Sequence, residues 1–197
     1  MYKAPAIDAG RGAVRRLPEV TGTVNVVTMP KPWDLLRASV DWAPAHVHMI
    51  AGMDHAELER LNDALPPCDV VVGLGGGSAM DTAKYLAWRR GCRMVLAPTI
   101  ISVDAALTNT IAVRVNGAVQ YVGNIFPEEV VVDYDLIRKA PKALNRAGVC
   151  DILSIHTALH DWRLAREQNG ESMTQPSPRR RGHAYASWTG TLARSTR

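Results

Sequence analysis

The sequence predicts an α/β fold built on a parallel sheet, with a β-hairpin inserted late in the chain. Two observations carry this prediction. Short β-branched runs alternate with helical patterns at βαβ spacing, and one of the runs, Asp69–Leu74, is apolar on both faces, as strands inside a parallel sheet are. A third, the dipeptide Asn116-Gly117 between two strand-like segments, predicts the hairpin.

In chain order, the first β-branched run is Val24–Met29, punctuated by Pro30 and Pro32. Pro32 suits the first turn of a helix through Val40, where a missing N–H costs nothing. Val47–Ile50 is the second strand. Asp54, three residues before Glu57, gives a capping-box-like start to a helix over Ala56–Leu65, with Leu58, Leu61 and Leu65 on one face. Asp69–Leu74 runs straight into Gly75-Gly76-Gly77-Ser78, a helix follows over Ala79–Arg90, and Arg93–Ala97 is the next strand. Ile111–Val115 and Ala118–Val122 flank the Asn116-Gly117 turn, because Asn and Gly best tolerate the positive φ of both central residues in a type I′ turn. Val130–Val132 is a further strand ending at Asp133, Asp135–Ala140 a short helix before Pro141, and Ile152–Glu167 a longer helix with Leu153, Leu159, Trp162 and Leu164. Beyond Glu167 neither periodicity continues, and residues 168–197 read as a disordered tail or as the product of a frameshift or truncation.

Composition bounds the partners. The chain has 197 residues, 47% hydrophobic and 21% charged, the balance of an ordinary globular protein. It has no apolar run of eighteen residues and nothing like a signal peptide at Met1–Gly10, so the expectation is a cytoplasmic protein without membrane insertion. Cys68, Cys92 and Cys150 are odd in number and outside any CxxC spacing, which argues against a disulfide framework or a zinc knuckle. The formal charge of +4 comes entirely from residues 168–197, with five Arg and one Glu, so it gives no argument for nucleic-acid binding.

The glycine run after the apolar strand is where chemistry is expected. A strand that delivers a bare backbone to a helix N-terminus lets phosphate approach without Cβ collision, and the free N–H groups and helix dipole favour the anion. Ser78 adds a hydroxyl donor. The run is neither GxGxxG nor GxxxxGK[ST], and by itself it also fits a plain tight connection.

The wider context narrows the reading. Gly75–Lys84 (GGGSAMDTAK) resembles the GGGSxxDxAK stretch of the iron-containing alcohol dehydrogenase superfamily. Ala97–Ala105 (APTIISVDA) is similar to its PTxxSxD loop, and Ala147–Asp151 (AGVCD) to its AGxGD segment, with Cys150 where glycine is usual. Thr157-Ala158 and Asp161-Trp162 resemble the next helix of glycerol-1-phosphate dehydrogenase-like members. The resemblance covers residues 8–167.

It implies a Rossmann-like domain with helices on both sheet faces over residues 1–147, and residues 148–167 as the first helix of a helical metal-binding domain that is otherwise missing. It also implies NAD or NADP as cofactor and a catalytic metal, Zn²⁺ or alternatively Fe²⁺. Gly75, Gly76, Gly77, Ser78, Ala79, Met80 and Asp81 are then the expected contacts of the dinucleotide pyrophosphate and its surroundings. Thr99, Ile100, Ile101 and Ser102 line its cleft, and Thr108 lies beside it. Asp104 meets the substrate hydroxyls, and Asp151 binds both the metal and the substrate. A solvated i,i+3 pair is the alternative for Asp81 and Lys84, and a turn or helix N-cap for Asp104.

A metal Lewis acid stabilises the alkoxide for hydride transfer, and a carboxylate with two imidazoles suits zinc. In the family the histidines come from well downstream, whereas only 46 residues follow Asp151 here. His156 and His160 are spaced i,i+4 but not as the family ligands are, His183 lies in the tail, and His46 and His48 share a strand face. The metal site therefore reads as incomplete, and weak solubility or a homo-oligomer is expected if Leu159, Trp162 and Leu164 lose their cover.

The expected function is NAD(P)- and metal-dependent reduction of dihydroxyacetone phosphate to sn-glycerol 1-phosphate, with the 47-residue interval from Asp104 to Asp151 favouring this branch. Arg114 is a candidate for the substrate phosphate. A glycerol dehydrogenase acting on glycerol, a dehydroquinate synthase-like enzyme and a catalytically incomplete nucleotide-binding fragment are the alternatives.

Overall fold

The computed structural model describes residues 5–170. In chain order it contains β1 (Ala6–Gly10), a 3-10 segment (Ala13–Glu19), β2 (Val24–Thr28), α1 (Pro30–Arg37), β3 (His46–Met49), α2 (His55–Ala64) and β4 (Val70–Gly75). There follow α3 (Gly77–Arg90), β5 (Arg93–Pro98), β6 (Thr110–Val115), β7 (Ala118–Asn124), β8 (Glu129–Asp133), α4 (Tyr134–Lys139) and α5 (Lys142–Asn169). Of the tail expected over 168–197, residues 168–169 continue α5, and residues 171–197, His183 included, lie outside the described residues.

Six strands form one sheet in the order β1-β8-β5-β4-β2-β3, parallel throughout. The double-sided burial expected of the fourth strand is complete, since Val70, Val71, Val72 and Leu74 have no exposed surface. Alternate residues feed two cores. Val27, Val71 and Leu96 pack with Leu58 of α2 and Met80, Ala83 and Leu86 of α3 on one face. Val26, Val72 and Val95 pack with Leu17, Leu36 of α1 and Leu136 of α4 on the other. This is the Rossmann-like arrangement, with helical cover on both sides.

β6 and β7 form a separate antiparallel hairpin. Asn116 (φ 52°) and Gly117 (φ 79°) both adopt the left-handed conformation the turn requires. The hairpin lies over α3, where Gly123 faces the Trp88 ring so closely that a Cβ would stand 2.9 Å from it.

Several elements differ from the sequence expectation. β1 was not anticipated, since Ala6–Gly10 has no apolar run; its place comes from pairing with β8, Ala6 opposite Glu129 through Gly10 opposite Asp133. α3 begins at Gly77 rather than Ala79, so Gly77 and Ser78 belong to its first turn. α5 begins at Lys142, ten residues before the expected start, so Ala147–Asp151 is helical.

The chain divides after Ile152 into two units. In the second, the described residues are the remainder of α5 and Gly170, and Leu153, Ile155, Leu159, Trp162 and Leu164 are exposed. Among the described residues no helix is long and apolar enough to cross a membrane.

Candidate active site

The chain leaves β2 for β3 on one side and resumes with β4 on the other, so the sheet's switch point lies between the C-terminal ends of β2 and β4. Open α/β sheets bind ligands at such a crevice. Here it is formed by Thr28-Met29 from β2 and by Gly75-Gly76 from β4, which leads directly into α3.

The N-terminus of α3 has no internal anion. Its N-cap is Gly76, without a side-chain cap, and its first turn contains no acidic residue. The first hydrogen bond into the helix backbone is Met80 N–H to the Gly76 carbonyl, 3.1 Å. The N–H groups of Gly77, Ser78 and Ala79 precede it and have no partner within the helix. Gly75 has φ 148°, and a Cβ on Gly76 or Gly77 would come within 2.9 Å of Ile100 or Val103 respectively. The glycines therefore serve two ends: they bare the helix N-terminus and let the 99–104 loop press against it.

That loop starts from β5 with Thr99, which is buried and donates its N–H to the Gly75 carbonyl at 2.8 Å. Ile100 and Ser102 are half-buried and Ile101 is exposed. α5 holds the loop from the other side. Asn145 accepts the Ile101 N–H at 3.3 Å and donates to the Ile137 carbonyl at 2.8 Å. Gly148 lies so close that a Cβ there would collide with the Ile101 carbonyl oxygen. Asp151 follows one turn later on the same helix, so the glycine of the Ala147–Asp151 segment sets where α5 meets the loop. Asp104 is exposed and opens a turn, its carbonyl accepting from Leu107 and Thr108 N–H at 2.8 and 3.2 Å.

The expected contacts do not all retain groups for a ligand. Met80 has its N–H on Gly76 and its side chain in the core, 1% exposed, so it supplies packing rather than a ligand. Ala79 is also buried and has only its N–H to offer. Asp81 and Lys84 are not a solvated pair. Lys84 is fully buried and donates to Asp81 Oδ1 at 3.2 Å, to the Thr110 carbonyl at 3.1 Å and to Thr108 Oγ1 at 3.5 Å. The lysine thus binds α3 to the hairpin and to the end of the Asp104 turn. Burial pushes the Asp81 carboxyl up and the Lys84 ammonium down, each opposed by the attraction of the other. The Asp104 carboxylate acts on both from outside and raises both.

Among the described residues no group of three His, Cys, Asp or Glu converges. Asp151 is half-buried on α5, and His156 and His160 are exposed on the same helix. His46 and His48 lie on edge strand β3, with ring centroids 6.4 Å apart and no third donor. The Arg114 guanidinium donates to the Gly117 carbonyl of its own hairpin turn, 3.3 Å. Sequence reasoning missed Asn145 and Gly148 as the groups that fix the loop, and only an amide three residues before a glycine on one helix hinted at them.

Comparison with known proteins places the chain in a family. Residues 23–141 match the family model for iron-containing alcohol dehydrogenase. The chain belongs to this family. It is 33% identical over 175 residues to the glycerol-1-phosphate dehydrogenase [NAD(P)+] of Hyperthermus butylicus, covering 84% of this chain and 50% of that protein. It is 36% identical over 168 residues to the enzyme of the same name from Aeropyrum pernix, covering 81% and 47%. Among solved structures, a probable glycerol dehydrogenase from Sinorhizobium meliloti superposes with a TM-score of 0.67 at 27% identity, over 78% of this chain and 46% of that one. The chain spans about half the length of the curated relatives it matches. The family is NAD(P)- and metal-dependent, and the part of it described above is its Rossmann-like domain.

Proposed function

We propose that this chain supplies the nucleotide-binding part of an NAD(P)-dependent oxidoreductase of glycerol-1-phosphate dehydrogenase type, which reduces dihydroxyacetone phosphate to sn-glycerol 1-phosphate. One observation carries the dinucleotide reading: an uncapped, acid-free helix N-terminus behind three glycines at the switch point of a parallel sheet. The pyrophosphate rests on the N–H groups of Gly77, Ser78 and Ala79, with the Ser78 hydroxyl as a further donor. Thr99 to Ser102 wall the cleft. Thr108 and Asp81 act through Lys84, holding the wall to α3 rather than touching the cofactor with free groups. α1 has no acid in its first turn, and the dinucleotide is NAD or NADP.

When bound, the nicotinamide supplies the hydride. Asp104, exposed on the adjacent turn, orients the hydroxyls of the polyol substrate. Asp151 is the carboxylate this chain offers to a metal and to the substrate. The described residues do not complete a donor set for Zn²⁺ or Fe²⁺, and no step is assigned to a metal here. That same observation favours a second reading, in which the chain binds the dinucleotide without catalysing the reaction. The exposed apolar side chains from Leu153 to Leu164 favour a homo-oligomer, which light scattering tests; a monodisperse monomer overturns it.

Titration with NADH, following energy transfer from tryptophan to nicotinamide, tests the shared part of both readings. Saturable transfer in the wild type and none in Gly77→Val is expected. A folded wild-type chain without transfer overturns the assignment. Oxidation of NADH on addition of dihydroxyacetone phosphate then separates the enzyme from the binding fragment. Zinc or iron that is retained by the wild type and lost in Asp151→Ala supports the enzyme.

A further inference from the structure

From the end of β5 to the start of β6, residues 99–109 form neither helix nor strand, and this stretch walls the glycine cleft. Its start is tied to β4 through the Thr99 N–H, and its later part closes on itself where the Asp104 carbonyl accepts from Leu107 and Thr108. Between these two fixed points stands Ile101, whose N–H and carbonyl both meet α5. The N–H is donated to Asn145 Oδ1 at 3.3 Å, and the carbonyl oxygen lies where a Cβ on Gly148 would stand. Asn145 and Gly148 are spaced i,i+3 on the helix and so share one face.

Asn145 is aimed by its own surroundings. Its backbone N–H, like that of Leu144, goes to the Pro141 carbonyl, which places it in the first turn of α5. Its side-chain NH₂ donates to the Ile137 carbonyl at 2.8 Å, near the end of α4, where the Ala140 N–H also arrives at 3.1 Å. A carbonyl only accepts, so the amide nitrogen faces Ile137 and the amide oxygen is left facing Ile101. The last turn of a helix has carbonyls without helical partners, and Asn145 takes one of them. A single amide thus joins the end of α4, the start of α5 and the cleft wall.

We propose that Asn145 is a positioning residue for the dinucleotide: it holds the Ile101 backbone so that the 99–104 loop already stands over the glycine turn when the cofactor arrives. Gly148 serves the same end by having no side chain, since that lets α5 come against the Ile101 carbonyl. Both act on the cofactor site through Ile101.

The path from Ile101 to the cofactor site is short. Ile100 and Val103, on either side of it, lie against Gly76 and Gly77, close enough that a Cβ on either glycine would come within 2.9 Å. A shift of Ile101 therefore moves the two side chains that stand over the start of α3. A wall fixed in advance needs no ordering when the ligand binds, and preorganisation of this kind is read as affinity. This inference rests on the dinucleotide reading proposed above for what the loop faces; the hold of α5 on Ile101 stands apart from it.

The test compares full chains of the wild type, Asn145→Ala, Gly148→Ala and the double variant by NADH titration and by deuterium uptake without cofactor. Each single substitution should raise the Kd for NADH about tenfold. The double variant should add little, because both changes act on one residue. Uptake over residues 99–104 should rise in Asn145→Ala while β4 keeps its wild-type protection. Leu144→Ala, an exposed neighbour on α5, should alter neither readout. Equal NADH affinity in wild type and Asn145→Ala, or unchanged uptake in the loop, overturns the proposal and leaves the dinucleotide reading standing. Loss of protection in β4 as well as in the loop also overturns it, because Asn145 then supports the fold at large. A wild-type chain that binds no NADH removes the dinucleotide reading, and the proposal that the loop is positioned for it falls with that reading, whatever the uptake shows. The Asn145→Ala comparison decides even where Gly148→Ala fails to fold.

Discussion

Two strand-to-helix junctions on the same edge of the sheet are built in opposite ways. At β8–α4 the chain closes the helix end itself. Asp133 is buried, accepts Asp135 and Leu136 N–H at 2.8 and 3.2 Å, and takes Val14 N–H on its other oxygen at 3.1 Å. At β4–α3 the same position is a glycine that caps nothing. The fold thus satisfies one helix N-terminus with an internal carboxylate and leaves the other, the end proposed for the pyrophosphate, without a side-chain cap. A helix end that binds an anion is recognised by what its own chain withholds as much as by its glycines.

The largest effect is expected where α3 is anchored. Lys84→Met removes one partner of a buried pair and should cost about 3–5 kcal/mol, a fall in Tm of roughly 10 °C, read by thermal melts. It also exposes a pH dependence. The Asp81 carboxyl is held above its ordinary 3.8 by burial, so the fold binds its proton more tightly than the unfolded chain does. Stability is then fully present below that ordinary value and is lost as pH rises through the folded one. Without Lys84 to oppose burial, this loss should be steeper than in the wild type between acid and neutral pH. A pH-independent Tm difference between the two proteins would show that Asp81 does not titrate in the fold.

Next in size, Asp133→Ala orphans three backbone N–H groups and should cost about 2–3 kcal/mol. NADH affinity should be unchanged. Weakened NADH binding in this variant would mean that the two junctions are coupled and the contrast between them misplaced.

The smallest effect on stability carries the sharpest distinction. Ser78→Glu puts a carboxylate in the first turn of α3, where the helix dipole favours it by about 0.3–1 kcal/mol. Tm should rise slightly while NADH binding weakens roughly tenfold or more, because the new charge occupies the place kept for the pyrophosphate. Equal or tighter NADH binding would remove α3 from the cofactor site.

Much of this fold was legible beforehand, and the legible parts share a physical feature. The central strands showed themselves because both faces of a parallel sheet must be apolar, and the hairpin because its turn needs two residues at positive φ. β1 was not legible, since Ala6–Gly10 is half-exposed edge backbone whose register is set by β8. At the site, the glycine run announced a bare helix end, but Asp81 and Lys84 read equally well as a solvated pair. Burial of that pair depends on a hairpin some thirty residues downstream folding over it.

By itself, then, the amino-acid sequence determined the class of sheet, the turn chemistry and the glycine segment that leaves a helix N-terminus uncapped, because these rest on local backbone preference and on periodicity. Only the tertiary structure decided which charges are buried and which helix end is already satisfied. Those properties depend on what distant segments place against a residue, and neighbours in sequence do not encode that.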